Sequence, residues 1–370
     1  MTTKRWLTEG SAAFADLGTF LPLALGLIVI AGVDPIGLLY GFGLFALMTA
    51  LIYRRPIPIQ PMKATAAMGV AGLIGPDVLI ATGILLGLTL IILSQTDLTQ
   101  RFKRLIPRTV LLGMRSALAI TLIANAFALQ AISLPTTALL LAALIALQFT
   151  SLSAFSCILI LIGGYLLLGD TTGITTEFAG VNLPQVLIPD VASFSSALEV
   201  AFLPQLALTL TNALILTAVI AQDYFPEDAK PVTEKRLALS SGLANLLFAP
   251  LGAIPMCHGA GGLPAHHAMG SRTGWSIAIF GSTCIVLAAL LGTQVTQLIV
   301  SIPVEIIAVL VLFASWHLAD PPLVAKTRTS CKVVIGVMAV IALWGGLMTA
   351  LVAGVVLEWS ISRYLQTRVS

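Results

Sequence analysis

Charged residues are scarce in this sequence. Asp, Glu, Lys and Arg together make up 9% of its 370 residues, whereas soluble domains average about 25%. This deficit excludes an ordinary soluble domain, and no nucleic-acid partner is expected for such a chain. Hydrophobic residues supply 58% of the sequence, and the mean hydropathy is +1.02. The composition therefore predicts a protein that crosses the lipid bilayer several times.

Cysteines are few and scattered. Cys157, Cys257, Cys284 and Cys331 include no CxxC pair and no spacing typical of metal ligands, so neither a metal nor a cofactor is predicted. A cleavable signal peptide is not evident either. The N-terminal MTTKRW runs into an apolar segment that Asp16 interrupts and that has no convincing A-x-A cleavage site. This first apolar segment is therefore expected to stay in the membrane.

Positive charges are unevenly distributed along the chain. None lies between Arg115 and Lys230, and elsewhere Lys and Arg cluster at 4–5, 54–55, 101–115, 230–236, 326–332 and 363–368. Placing these clusters in the cytoplasm requires an even number of spans between them. Counting apolar segments on this basis predicts an all-α polytopic membrane protein of about fourteen spans. Both termini are expected in the cytoplasm, the membrane is expected to be the plasma (inner) membrane, and 170–195 is expected to be an external loop.

The sequence contains a weak internal repeat. FLPLAL (20–25) returns as FLPQLAL (202–208), and IQPMKATAA (59–67) has a counterpart in AIPMCHGAGG (253–262). Both offsets are close to half the chain, although short apolar matches also arise by chance. Seven spans per half is an odd number, so the second half would be inverted, as in secondary transporters. The predicted repeats are residues 1–195 and 196–370.

The stretch PIPIQPMKATAA (56–67) cannot form a continuous helix, because prolines remove backbone donors and clash with the preceding turn. Five extended residues reach about 16 Å, and a helix over 62–73 adds about 18 Å. Together they cross the hydrocarbon core once, with the helix beginning near its centre. The second half is expected to match, with an extended segment over 250–256 and a helix from His258 to near Arg272.

Two half-helices that begin near the membrane centre would offer free N–H groups and positive dipole ends to an anion. Gly259, Gly261 and Gly262 would allow a ligand to approach the backbone closely. An ionised Lys63 at this depth costs roughly 2.5–3.5 kcal/mol, so a negative partner is expected. Either a bound anion or Asp16 fits that requirement, and a purely structural pair of Asp16 with Lys63 remains open.

Three segments resemble the molybdate transporters of microbes and plants, which are relatives of the sulfate permeases. They are FADLGTFLPLAL (14–25), PIPIQPMKATAA (56–67) and MCHGAGGLPAHHAMGSRTG (256–274), and the resemblance covers roughly residues 10–280. It implies seven plus seven inverted spans, as in uracil permease. It also implies a core domain of spans 1–4 and 8–11, a gate domain of spans 5–7 and 12–14, and an anion between the third and tenth spans.

The resemblance and the half-helix geometry together predict a set of substrate-binding residues. They are Asp16, Thr19, Gln60, Pro61, Met62, Lys63, Gln205, Thr209, Asn212, Cys257, His258, Gly259, Gly261 and Gly262. The Thr, Gln and Asn side chains can donate hydrogen bonds to oxyanion oxygens, although an intramembrane Thr often bonds only its own helix. Cys257 is interpreted as a small residue lining the site.

Proton coupling has three candidate residues, His258, Glu199 and Glu305. An unperturbed histidine titrates near pH 6.5, but His258 could equally be a structural histidine that donates to the backbone. Glu199 could instead face the outer surface. Arg115 is expected to snorkel toward the membrane interface.

These predictions favour a secondary active transporter that moves a tetrahedral oxyanion, molybdate or sulfate, by alternating access with protons as the expected coupling ion. A nucleobase permease of the same fold and an anion channel are the alternatives, and a homodimer is left open. The chain is not predicted to be an enzyme. A metal hydrolase using His258, His266 and His267 would need a ligand motif such as HExxH, which the sequence does not contain.

Overall fold

The computed structural model describes residues 3–96, 107–128, 132–169, 181–226 and 232–369. Part of the positive cluster at 101–115 and part of the expected external loop at 170–195 lie outside these ranges. The described chain is mainly helical and contains one short two-stranded sheet.

The first half of the chain alternates helices with one short strand. Its elements are α1 (Thr3–Ala12), α2 (Leu17–Val29), α3 (Pro35–Tyr53), β1 (Ile59–Pro61), α4 (Lys63–Val70), α5 (Pro76–Ser94), α6 (Arg108–Ala128), α7 (Leu134–Gln148) and α8 (Ser156–Leu168). A 3₁₀ turn at Ser153–Phe155 precedes α8.

The second half has the same kind of alternation. Its elements are α9 (Val191–Tyr224), α10 (Glu234–Phe248), β2 (Met256–His258), α11 (Gly262–Ala268), α12 (Trp275–Val300), α13 (Val304–Ala319), α14 (Pro321–Ala325) and α15 (Thr329–Val369). Two stretches of α9 are π-helical, Ala197–Phe202 and Thr209–Leu216, and α15 is kinked at Gly346.

Several helices are suited to a membrane. Among the described residues, five helices are long and apolar enough to cross one, or six if α1 and α2, which meet at 43°, form a single bent span. Shorter apolar helices occur at Leu134–Gln148, Ser156–Leu168 and Trp275–Leu290. The predicted all-α membrane class therefore agrees with the structure, while the number of spans stays a prediction.

Local capping explains where the helices begin. Asp34 accepts hydrogen bonds from the N–H groups of Ile36 and Gly37, and Pro35 occupies the first turn of α3. Asp190 accepts from the N–H of Ser193 at 2.8 Å, and the hydrogen bonds from Ser193 lower the pKa of this exposed carboxyl. This cap starts α9 at Val191, so the last residues of the segment 170–195, which was expected to be an external loop, are helical.

Glycines allow two pairs of helices to cross closely. A Cβ on Gly281 of α12 would lie 2.7 Å from the carbonyl oxygen of Gly43 on α3. A Cβ on Gly242 of α10 would lie 2.9 Å from the carbonyl oxygen of Gly87 on α5. Small residues at helix crossings let the backbones approach, which is how apolar helices gain packing energy inside lipid.

The two broken segments are present, but their boundaries differ from the prediction. Helix α4 spans Lys63–Val70 rather than 62–73, and a 3₁₀ turn occupies Ala249–Leu251, where extended chain was expected. Helix α11 begins at Gly262 instead of His258. The reason is that His258 belongs to β2, which pairs with β1.

Candidate anion site

The strands β1 and β2 pair antiparallel and bring the two half-helices together. The register joins Ile59 with His258, Gln60 with Cys257, and Pro61 with Met256. The N–H of Met62 donates to the carbonyl of Pro255 at 2.9 Å, which extends the pairing toward the start of α4. All six strand residues are buried, so their backbone groups need these partners.

Asn245 of α10 anchors β2. Its side-chain amide donates to the carbonyl oxygens of Met256 at 2.6 Å and Ser241 at 2.7 Å, and its Oδ1 accepts from the N–H of Met256 at 2.8 Å. The side chain is fully buried. The sequence analysis did not identify Asn245, because an isolated asparagine in an apolar helix does not indicate which distant backbone it will contact.

Gln205 of α9 caps the first half-helix. Its Oε1 accepts from the N–H groups of Ala64 at 2.8 Å and Thr65 at 3.2 Å, and its Nε2 donates to Thr209 Oγ1 at 2.8 Å. The prediction left these N–H groups free for an anion. The structure instead bonds two of them to Gln205, because a buried donor without a partner is costly.

Asp16 and Gln60 form the contact between α2 and β1. Gln60 Nε2 donates to Asp16 Oδ2 at 2.5 Å. Glycines make room for this pair, since a Cβ on Gly259 would overlap the Gln60 side chain and a Cβ on Gly262 would overlap the Asp16 carboxylate. Asp16 and Lys63, both described, form no ion pair within 4.0 Å, so the carboxylate is held by Gln60 rather than by the lysine.

Lys63 faces a cavity beside the paired strands. Seven of the predicted substrate-binding residues line this cavity, together with four others; the lining is Gln60, Pro61, Lys63, Arg115, Gln205, Leu208, Thr209, Asn212, Ala213, Cys257 and Leu318. An adjoining cavity shares Lys63 and Leu318 and is also lined by Thr19 and His317. We call the two together the Lys63 cavity.

Several predicted site residues lie elsewhere. Met62 is fully buried in a hydrophobic cluster, and Gly261 is exposed. His258 Nε2 is 2.7 Å from Ser240 Oγ, and its ring contacts the rings of Phe45 and Tyr53. His258 does not line the Lys63 cavity, and its role in proton coupling stays a prediction.

Asp16 lines a separate small cavity with His266. His266 is 2% exposed, so it is an interior residue. Glu199 is exposed and accepts from Ser195 Oγ at 3.3 Å, while Glu305 accepts from the N–H of Ser133 at 3.2 Å, just before α7 begins. Neither glutamate lines the Lys63 cavity.

The Lys63 cavity can stabilise negative charge. Lys63 and Arg115 contribute cationic groups, and Asn212 and Thr209 contribute an amide and a hydroxyl. No group of three or more His, Cys, Asp or Glu that could hold a metal occurs in the described part of the chain. Arg115, the last residue of the positive cluster at 101–115, was expected to snorkel toward the membrane interface, and the structure places it in the lining of this cavity.

Comparison with known proteins agrees with this chemistry. A family model described as "Molybdate transporter of MFS superfamily" matches residues 8–122 and 197–318. "Molybdate transporter 2" of Arabidopsis thaliana is 26% identical over 365 residues, which cover 84% of this chain and 78% of that protein. "Putative sulfate transporter YbaR" of Bacillus subtilis (strain 168) is 27% identical over 307 residues, covering 79% of this chain and 63% of that protein.

The fold is shared with a solved structure, "The transmembrane domain of a cyanobacterium bicarbonate transporter BicA". The TM-score is 0.71 at 17% identity, over 96% of this chain and 98% of that chain. The fold is that of an integral membrane transporter, and the family model together with the curated relatives makes it a transporter of anions. The chain belongs to the molybdate transporter family, whose model matches more than half of its residues, and the resemblance seen in the sequence is confirmed.

Proposed function

We propose that the protein is a secondary active transporter that binds a tetrahedral oxyanion, molybdate or sulfate, in the Lys63 cavity. The observation that carries this proposal is the position of Lys63. It is the first residue of a half-helix, it faces a cavity lined by Gln205, Thr209 and Asn212, and Asp16 does not neutralise it within 4.0 Å. A cation inside a membrane protein that faces a polar cavity favours an anion as its partner.

We infer that transport proceeds by alternating access between the core domain and the gate domain. The packing supports this division, because the heavily packed pairs α3 with α12 and α5 with α10 fall within the core, and α6 with α15 and α6 with α13 fall within the gate. About fourteen spans, arranged as inverted repeats 1–195 and 196–370, would place one strand and half-helix unit in each repeat.

Proton coupling remains part of the proposal, with His258, Glu199 and Glu305 as its candidates. None of the three lines the Lys63 cavity, so coupling through them would act at a distance from the anion. The positive clusters support cytoplasmic termini, and the plasma membrane is the proposed location. A homodimer is compatible with the large apolar surface but is not required by the site.

Uptake by proteoliposomes tests the proposal. Labelled molybdate, sulfate and uracil would be offered with and without a pH gradient. We expect saturable uptake of at least one oxyanion, stimulated by an inward-directed proton gradient, and no uptake of uracil. Uracil uptake would support the nucleobase permease instead, and conductance far above carrier turnover would support the channel.

The variant Lys63→Ala tests the site. We expect this variant to insert and fold, but its rate of oxyanion uptake should fall by at least about tenfold, because a charge-assisted contact contributes roughly 1.5–3 kcal/mol. Lys326→Ala is the matched control, since Lys326 is exposed and lies outside the cavity. Normal uptake by Lys63→Ala would remove the lysine from the site.

A further inference from the structure

The Lys63 cavity contains a second cation that the sequence did not assign to it. Arg115 lies on α6, in the predicted gate domain, and lines the cavity together with Lys63 and Gln205 of the predicted core domain. A tetrahedral dianion carries two negative charges, and Lys63 supplies one positive charge. The cavity therefore has a cation on each of the two predicted domains.

Arg115 is held loosely. Its Nε–H donates to the carbonyl of Leu318 at 3.0 Å, and its Nη2 lies 3.4 Å from Asp320 Oδ2. Charge-assisted N–H···O bonds are usually about 2.7–2.9 Å long, so the contact with the carboxylate is weak. The remaining N–H groups of the guanidinium have no hydrogen-bond partner among the described residues.

Asp320 follows α13 and starts α14. Its backbone is left-handed, with φ 52°, which is uncommon for a residue other than glycine. The side chains of Arg115 and Asp320 are 24% and 36% exposed, so both are partly accessible from the solvent-exposed side of the pair.

The ionisable groups on this side of the cavity include Lys63, Arg115, His317 and Asp320. Asp320 is the anionic member. A dianion that enters the cavity would compete with its carboxylate for the guanidinium, and a bidentate geometry suits the oxygens of an oxyanion.

We propose that Arg115 is a second anion-binding residue, and that Asp320 occupies its guanidinium until substrate displaces the carboxylate. This inference rests on the proposed function, because it deepens the same site. A preference for doubly charged oxyanions would then arise from one cation in the core domain and one in the gate domain. Bound substrate would then bridge the two domains through Lys63 and Arg115.

The test measures the concentration dependence of molybdate and sulfate uptake by proteoliposomes. We expect Arg115→Gln to raise KM by about tenfold or more, with Arg115→Lys between this variant and the wild type. We expect Asp320→Asn to lower KM, because the neutral amide competes less well for the guanidinium. Arg236→Gln, at an exposed position on α10, is the control and should leave KM unchanged.

A rise in KM for Arg115→Gln together with a fall for Asp320→Asn would indicate a role in binding. If the salt bridge were merely structural, removing either partner would impair uptake to the same extent. An unchanged KM in Arg115→Gln, or a rise in KM in Asp320→Asn, would overturn the inference. If Arg115→Gln does not fold, Arg115→Lys and Asp320→Asn decide by the same criteria. If Arg115→Gln has normal kinetics while Lys63→Ala is inactive, this inference alone is overturned. If the wild-type protein takes up no oxyanion, the proposed function is overturned as well.

Discussion

At the residue scale, the contact between Asp16 and Gln60 depends on the absence of a side chain at Gly259. The Gln60 side chain lies directly over Gly259, and the Asp16 carboxylate lies over Gly262. Neither glycine has a positive φ, so close approach rather than backbone conformation explains the residue type. Gly261, in contrast, has open space where a Cβ would lie.

We therefore expect Gly259→Ala to push Gln60 away from Asp16 and to reduce oxyanion uptake by about tenfold, since overpacking a buried contact costs about 1–3 kcal/mol. Gly261→Ala is the matched control and should retain uptake close to that of the wild type. Initial uptake rates in proteoliposomes, normalised to inserted protein, measure both variants. Equal rates for the two would contradict the close-packing explanation.

At the element scale, the short strands are maintained by a side chain from outside the sheet. A two-stranded sheet of three residues per strand is marginal by itself. Asn245 of α10 makes two hydrogen bonds to the backbone of Met256 in β2, and a third joins it to Ser241 within α10. The position of β2, and with it the start of α11, therefore depends on α10.

We expect Asn245→Leu to lower the thermal unfolding midpoint in detergent, because it leaves buried N–H and C=O groups of Met256 without partners, at about 1–3 kcal/mol. Ser241→Ala is the control on the same helix. The Ser241 hydroxyl is buried without a hydrogen-bond partner in the described structure, while its backbone carbonyl stays available to Asn245. Should Ser241→Ala destabilise as much as Asn245→Leu, the anchoring role of Asn245 would be refuted.

At the scale of the whole molecule, helices from the two halves of the sequence pack against each other. Helix α3 pairs with α12 and α5 pairs with α10, each through facing glycines. Both pairings join elements that are at least 140 residues apart in the sequence, so the halves form one body rather than two independent units. The N-terminal α1 joins it through Glu9, whose buried carboxylate accepts from the N–H groups of Arg272 and Thr273 at 3.1 Å.

We expect Gly281→Ala to lower the unfolding midpoint by separating α3 from α12, with a cost of about 1–3 kcal/mol. Gly163→Ala on α8 serves as the control, because a Cβ there meets nothing within 4 Å and alanine favours the helix. Thermal unfolding followed by tryptophan fluorescence would compare the two. A midpoint for Gly281→Ala at or above that of Gly163→Ala would show that the crossing tolerates a methyl group.

The amino-acid sequence by itself determined the membrane class, the family and the two broken segments. Those features are local, because hydropathy, proline positions and long motifs act over neighbouring residues. The sequence also predicted one site for Lys63, Gln205, Thr209 and Asn212, and these four residues line one cavity, although their role in binding stays a prediction. Lys63 and Gln205 lie in motifs that repeat within the chain, and Thr209 and Asn212 follow Gln205 on the same helix.

Only the tertiary structure decided which polar groups pair with each other. Gln205 caps α4, Gln60 holds Asp16, and Arg115 reaches the cavity beside Asp320. Each choice pairs groups more than 40 residues apart, and several partners of similar chemistry were available for every one of them. Which pair forms depends on helix packing, and in a dry interior the geometry that satisfies the most buried polar groups has the lowest free energy.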